Sequence, residues 1–467
     1  MKIPSLLLLL GTVALSAAIA ESAAAPLNVL FIISDDLNND LGCYGNPVVK
    51  SPNIDRLAAR GIRFDRAYCN YPVCNASRVS FLSGRRPDST GVTSNMTHTR
   101  AVLGNHVFLP EYFRIKGYRT MKAGKVYHSQ KFEDPLSWNV AVHEDKQSED
   151  PAPEEIIRRQ GPEGVVLNQK DEETPDGYFA RKAIEFLEEC AKDRKPFFVA
   201  AGFRRPHTPY AAPEKYFSLY DPAKLKPRYG PEGHWNNIPD IALTWKLWDK
   251  KRFPENRPGD TMAAYYASIS FMDAQVGLLL DAMERLRLFE NTIVVFISDH
   301  GYHMGEHGGL QYKMCLFDET TRVPLIVAAP GRKPAVSNAL VELVDLYPTL
   351  AELCGLDVPK NLDGTSFVPV LEQPNRLWKK AVFTVAARNR DLYPHAPKGM
   401  KLDGMGRTVF DGRWRYTEWP DGSRELYDHQ DDPFEYSNLA STLELRAQME
   451  RSGARLRAGW RAALPPH

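Results

Sequence analysis

The chain has 467 residues, 43% of them hydrophobic, 25% charged and 10% aromatic. This composition excludes collagen, wholesale disorder and coiled coil, and the length allows about three average domains or one large domain with a small companion. Lys plus Arg number 59 and Asp plus Glu 58, a net charge of +1, so the chain carries no overall basic field for nucleic acid and no acidic tail.

Residues 1–25 read as a signal peptide. Lys2 supplies a positive start, residues 6–19 are apolar, and Ala18, Ala20, Ala23 and Ala25 offer two small-residue cleavage sites. The apolar run is shorter than the roughly 20 residues of a membrane span. The expectation is an exported protein, periplasmic or extracellular, with no membrane anchor after cleavage. Cys43, Cys69, Cys74, Cys190, Cys315 and Cys354 are scattered, without a CxxC pair. They read mostly as small buried hydrophobes, with room for one or two bridges after export. N-x-[ST] sequons are sparse, only Asn75 and Asn95 opening one, and with the lack of a cysteine framework this favours a bacterial exported protein.

Residues 27–33 (LNVLFII) form a continuous apolar run, the pattern of a strand covered on both faces, and stop at Ser34-Asp35-Asp36. Residues 196–201 (PFFVAA) repeat the pattern ahead of Gly202 and His207. Residues 292–297 (TIVVFI) repeat it again and end in Ser298-Asp299-His300-Gly301. Residues 176–191 and 263–288 show apolar spacing near 3.6, the helical period. Strand alternating with helix predicts an α/β layer with a largely parallel sheet, whose ligands bind beyond the carboxyl ends of the strands. Near residue 375 the character changes. From residue 381 short β-rich segments, among them 406–411 and 414–419, alternate with Asp-Gly turns and predict a small antiparallel sheet. Residues 442–463 predict a final helix with Arg on its solvated face. The expected division is thus a signal peptide (1–25), a catalytic α/β domain (26–375) and a C-terminal α+β subdomain (376–467).

One stretch stands above this background. Residues 72–86 read PVCNASRVSFLSGRR, with Cys-x-Ala-x-Arg from Cys74 to Arg78 followed by Leu-Ser-Gly-Arg. It resembles the signature of type I sulfatases, in which the cysteine is oxidised to formylglycine (3-oxoalanine); Ala76 stands where the usual family form has Pro. Asp35-Asp36, Lys125 to His128, His207, Asp299-His300 and Lys313 follow in sulfatase order. GKVYH (124–128), RPHTP (205–209), residues 299–307 and WRYT (414–417) resemble the iduronate-2-sulfatase-like branch most, and the likeness spans about residues 27–440. It implies an alkaline-phosphatase-like fold, sulfatase activity, one calcium ion, and a formylglycine-generating maturation system as partner.

The chemistry accounts for these residue types. A sulfated serine would resist hydrolysis, whereas a hydrated aldehyde has two geminal hydroxyls. One attacks sulfur, and deprotonating the other expels sulfate and restores the aldehyde. Asp35, Asp36, Asp299 and His300 are the metal candidates, because carboxylates crowded at strand ends need a cation between them. Hard oxygen ligands point to calcium or magnesium; the resemblance implies calcium, with an oxygen of the modified Cys74 in its shell. Arg78, Lys125 and Lys313 form the expected cationic surround of the sulfate. By resemblance His128 takes the proton from the second hydroxyl and His207 protonates the leaving alcohol. His303 and His307 read as residues behind the metal ligands or on the substrate rim. Arg205, Tyr302, Arg407 and Arg415 are the candidate contacts to a substrate carboxylate or neighbouring sulfate.

The leading expectation is therefore an exported calcium-dependent sulfatase acting on a sulfated carbohydrate, with a 2-O-sulfated uronate as the candidate that the resemblance suggests. Two alternatives stand beside it. One is a phosphodiesterase or phosphonate hydrolase on the same scaffold, which favours Thr or Ser as nucleophile and a second metal. The other is an inactive carbohydrate-binding homologue whose Cys74 is never converted.

Overall fold

The structure is a computed structural model that describes residues 26–143, 153–193, 195–247, 253–254, 256–394, 396 and 398–466. The signal peptide expected at 1–25 lies outside the described residues. Nine strands form the central sheet: β1 (Asn28–Asp35), β2 (Ile62–Tyr68), β3 (Arg119–Gly124), β4 (Val140–Val142), β5 (Phe197–Pro206), β6 (Thr292–Ser298), β7 (Arg322–Ala328), β8 (Ala335–Ser337) and β9 (Val341–Glu342). Their order is β8-β2-β7-β6-β1-β5-β3-β4, with β9 also paired to β2. Strands β6, β1, β5, β3 and β4 run parallel, and β7 is antiparallel to both its neighbours.

The continuous apolar runs become strands because both faces of the sheet are covered. Within β1, Val29, Phe31 and Ile33 enter one core, which includes Ala76, Val79 and Leu82 of helix α1 (Cys74–Ser83). Leu30 and Ile32 enter the other, with Ala183 of α2 (Pro175–Asp193) and Ile269 of α3 (Pro258–Arg285). This is the two-fold alternation of side chains along a strand. The sheet is sandwiched by helices in an alkaline-phosphatase-like α/β layer, as the sequence predicts. Strand β1 runs two residues past the apolar segment, because Ser34 still pairs with Ser298 and Asp35 with Pro206.

The C-terminal part holds a separate antiparallel sheet of β10 (Val382–Asn389), β11 (Asp403–Phe410), β12 (Trp414–Glu418) and β13 (Arg424–Asp428), in that order. The β11–β12 turn is built on Asp411, whose carboxylate accepts from the backbone N–H groups of Arg413 and Trp414, with Gly412 at φ +95°. Helix α4 (Arg446–Ala458) lays Met449 and Leu456 against Val409, Tyr416 and Leu426. A third sheet, of Ile156–Gln160, Gly164–Leu167 and Tyr210–Pro213, is not expected from the sequence; its strands are too short to show a period. The bridges allowed for after export do not form here: all six cysteines are unpaired. Among the described residues no helix is long and apolar enough to cross a membrane.

Candidate active site

Cys74 opens α1, where the unpaired backbone N–H groups and the helix dipole favour negative charge. The helix is buried along its whole length, Arg78 included, and closes on Gly84, which takes φ +65° as its C-cap. The Leu-Ser-Gly-Arg element thus ends the helix that Cys74 begins.

Three side chains meet at the Cys74 sulfur. The thiol donates to Asp35 Oδ1 at 3.3 Å, Lys313 Nζ donates to the sulfur at 3.0 Å, and His300 Nε2 lies 3.4 Å away. Lys313 also reaches Asp36 Oδ1 at 2.6 Å, and Lys125 pairs with Asp35. Burial opposes ionisation of the thiol, but Lys313 and Lys125, with hydrogen bonds from His128 and His207, hold it well below the usual thiol range. Burial likewise opposes the charge on Asp35, and Lys125, His207 and Arg78 outweigh it and keep the carboxyl ionised. Asp36 and Cys74 hold Lys313 well above the ordinary lysine value despite burial. The site is a buried cluster of alternating charge.

Arg78 lies one turn beyond Cys74 on the same helix face. Its Nε donates to Asp299 Oδ2 at 2.8 Å and its Nη1 to Val126 O at 3.1 Å, while Nη2 stands 3.7 Å from Asp35 Oδ1. It joins the ends of β1, β3 and β6. Ser77 on the same helix donates to Asp299 O. Burial, with Asp35 nearby and Arg78 opposing, pushes the Asp299 carboxyl up to about 7.

The ligand atoms of Asp35, Asp36, Cys74 and His300 lie within 4.8 Å of one another. His300 Nδ1 bonds Gly301 O at 2.9 Å, which leaves Nε2 facing Asp36 Oδ1 at 3.3 Å. Burial favours neutral His300, yet Asp299 raises it to about 9, a proton that a bound cation displaces. Asp36 sits at φ +62°, a conformation Asp tolerates, and Tyr265 holds its carbonyl with a 2.8 Å hydrogen bond. Two carboxylates and an imidazole whose Nε2 faces them fit a divalent cation. Asp299 stands at the border of this group, its Oδ1 3.6 Å from His300 Nε2 and its other oxygen taken by Arg78.

His128 and His207 flank the sulfur. The His128 ring stacks on Phe132 at 6.0 Å, and its Nδ1 is buried without a partner. His207 Nδ1 bonds Thr208 O at 2.7 Å, turning Nε2 toward Asp36 Oδ2 at 3.8 Å.

Each of the four expected substrate contacts is engaged by other groups of the chain. Arg415 is 1% exposed, bonds Asp318 at 2.7 Å and Glu435, and lies against Tyr68 and Phe410. It ties the C-terminal sheet to the catalytic part. Arg407 projects from β11 and pairs with Asp88 at 2.7 Å. Tyr302 is buried, stacked on Tyr265 beneath Asp36. Arg205 is turned inward onto backbone carbonyls. His303 and His307 are wholly buried, His303 beside Glu306 and His307 stacked on Phe317. Asn75 is buried too, its amide donating to Ser94 O and Thr97 O, so its sequon is structural. A cleft of 1210 Å³ opens elsewhere, lined by Asp40, Arg66, Arg228, Glu319, Arg413 and Phe434 among others; none of the residues around Cys74 lines it.

The profile of the sulfatase family matches residues 27–356, and that of the N-sulphoglucosamine sulphohydrolase C-terminal region matches residues 305–458. The chain belongs to the sulfatase family. It is 35% identical to the iduronate 2-sulfatase of Mus musculus over 419 residues, covering 77% of this chain and 75% of that one. A sulfatase of Formosa agariphila is 31% identical over 453 residues, 91% of this chain and 85% of its own. Among solved structures the phosphonate monoester hydrolase of Silicibacter pomeroyi superposes with a TM-score of 0.80 at 22% identity, over 94% of this chain and 96% of its own. BT1596, a 2-O GAG sulfatase, superposes with 0.70 at 24% identity, over 94% and 95%. These two likenesses carry the fold; the family carries the reaction. This sulfatase hydrolyses sulfate esters.

Proposed function

We propose that this sulfatase is exported and removes sulfate from a sulfated carbohydrate, a 2-O-sulfated uronate being the substrate that the iduronate 2-sulfatase relatives suggest. The observation that carries the reading is the Cys74 sulfur at the start of α1, in contact with Lys313, Asp35 and His300 together. Converted to formylglycine and hydrated, position 74 would supply the nucleophilic hydroxyl, and a calcium ion held by Asp35, Asp36, His300 and Asp299 would supply fixed positive charge beside the sulfate. Cys74 is fully buried, so the maturation system acts before the chain folds.

The chain's own groups divide the remaining work. Lys313 and Lys125, both buried, hold the negative sulfuryl oxygens where fixed charge acts more strongly than in water. His128, oriented by Phe132, accepts a proton at position 74. His207 presents Nε2 and donates its proton to the leaving alcohol. Arg78 keeps Asp35 and Asp299 in register.

The test is a panel of defined sulfated oligosaccharides, with 4-nitrophenyl sulfate and an aryl phosphodiester as references. Sulfate release from a 2-O-sulfated uronate, with much weaker turnover of the phosphodiester, supports the reading. Preference for the phosphodiester favours the hydrolase alternative, and no turnover together with an unconverted Cys74 favours a binding homologue.

A further inference from the structure

We propose that Arg205 and Asp176 form a clamp that positions His207, which makes Arg205 a positioning residue and not a contact to the substrate; the inference rests on the reading of His207 as the proton donor. His207 lies just past the end of β5, in a segment whose backbone is held from three directions. The Asp176 carboxylate, in the first turn of α2, accepts from the backbone N–H groups of Arg204 at 3.0 Å and Arg205 at 2.9 Å. Ser34, the neighbour of Asp35 on β1, donates through Oγ to Arg205 O at 2.8 Å. Arg205 Nη1 donates to His207 O at 2.9 Å and to Pro209 O at 2.7 Å, closing a ring around the Thr208 peptide.

The three side chains that hold the segment are buried, and the imidazole they position is not. Asp176, Arg205 and Ser34 are 2%, 6% and 0% exposed, whereas the His207 side chain is 23% exposed. Inside the clamp His207 Nδ1 bonds Thr208 O, so fixing the Thr208 peptide fixes both the tautomer and the direction of Nε2. A guanidinium donating to carbonyls two and four residues downstream has the geometry of a brace. A sulfate or carboxylate contact would need that fork to face the opening.

Rate depends steeply on such placement, and a misplacement of about 1 Å costs about 10²-fold. The experiment compares Arg205→Met, Arg205→Lys, Asp176→Asn, His207→Ala and the double variant Arg205→Met/His207→Ala. Each is assayed on a 2-O-sulfated uronate disaccharide and on 4-nitrophenyl sulfate, with thermal melting to confirm folding. The clamp predicts that Arg205→Met and Asp176→Asn lower kcat on the disaccharide by about 10- to 10²-fold, with KM little changed and a much smaller loss on the aryl ester. The limb of the pH profile assigned to the donor weakens with them, and Arg205→Lys, which keeps one donor, recovers part of the rate. The double variant is no slower than His207→Ala alone.

A rise in KM for the disaccharide together with multiplicative losses in the double variant would make Arg205 a substrate contact and overturn the proposal. Equal losses on both esters for Arg205→Met, where His207→Ala discriminates between them, overturn it as well. If His207→Ala itself loses equally on both esters, the donor reading fails. The clamp is then judged on non-additivity alone: a double variant matching His207→Ala supports it and multiplicative losses overturn it.

Discussion

At the scale of single residues the account turns on proton donors and on fixed charge. A sugar hydroxyl leaves poorly without a proton, whereas a nitrophenolate leaves unaided. His207→Ala should therefore lose about 10²- to 10⁴-fold in kcat/KM on a sulfated oligosaccharide and far less on 4-nitrophenyl sulfate. Lys313→Ala should cost both substrates similarly, because Lys313 touches the Cys74 sulfur and Asp36, where charge must be held whatever the leaving group. Equal losses for His207→Ala on the two esters would remove its donor role. The same scale shows what the sequence can reveal. Cys74, Arg78, Lys125, His128, His207, Asp35, Asp36 and His300 are legible because they sit in short motifs, and Lys313 because it follows them in family order; the structure brings them around one site. Arg205, Arg407, Arg415 and Tyr302 are less legible, because nothing local encodes where a long side chain points. The partners of Arg415 are at 318 and 435, on other elements. Asp176 is missed for the opposite reason: an acid in a helix's first turn reads as a cap, while here it reaches the His207 segment.

At the scale of elements, the three apolar runs predict the central strands because burial on both faces leaves no polar positions. The irregular ends are not readable. Gly124 ends β3 at φ +78°, and a Cβ there would lie 2.1 Å from Gly202 O on β5. This close approach delivers Lys125 and His128 to the site, and no pattern in the sequence announces it. Gly124→Ala should destabilise the fold by about 1–3 kcal/mol through backbone strain and should depress activity beyond that, since Lys125 moves with the strand end. A melting curve and activity unchanged from the parent protein would show that the strand end tolerates a side chain.

At the scale of the whole molecule, the C-terminal sheet is part of the catalytic architecture. Strand β10 braces residues 69–71, the segment that leads into Cys74, through three bonds. Thr384 donates to Cys69 O at 2.6 Å, Val385 N to Asn70 O at 3.1 Å, and Ala387 N to Tyr71 Oη at 2.8 Å. Behind the strand, Arg86 and Lys379 pair with Glu342 in a buried network, at 2.8 and 2.6 Å. Arg415 makes a second buried link, from β12 to Asp318 and Glu435. Removing one partner from a buried ion pair leaves an uncompensated charge. Arg415→Ala should therefore cost about 3–5 kcal/mol and lower the melting temperature of the molecule as a unit.

The same networks set the response to acid. Burial opposes the charge on Glu342, but Arg86 and Lys379 hold its carboxyl down to about 2, against an ordinary value of 4.5. Asp318 and Glu435 are also lowered: burial opposes this, and arginine neighbours outweigh it. Asp345, raised by burial despite Lys379, works in the opposite direction. A carboxyl whose folded value is depressed stabilises fully above its unfolded value, and that stability is lost as pH falls through the folded one. The melting temperature should thus hold down to about pH 4.5 and fall steeply from there toward pH 2. A melting temperature that stays level through this window would contradict the buried pairs.

The central claim is that catalysis runs through a modified Cys74, and the mass of the peptide that carries residue 74 tests it most directly. Measured on protein preparations of differing specific activity, the fraction of that peptide with the mass of formylglycine should rise in proportion to sulfate-ester turnover, and preparations holding only the thiol should be inactive. Full turnover by protein in which position 74 is entirely cysteine would contradict the account.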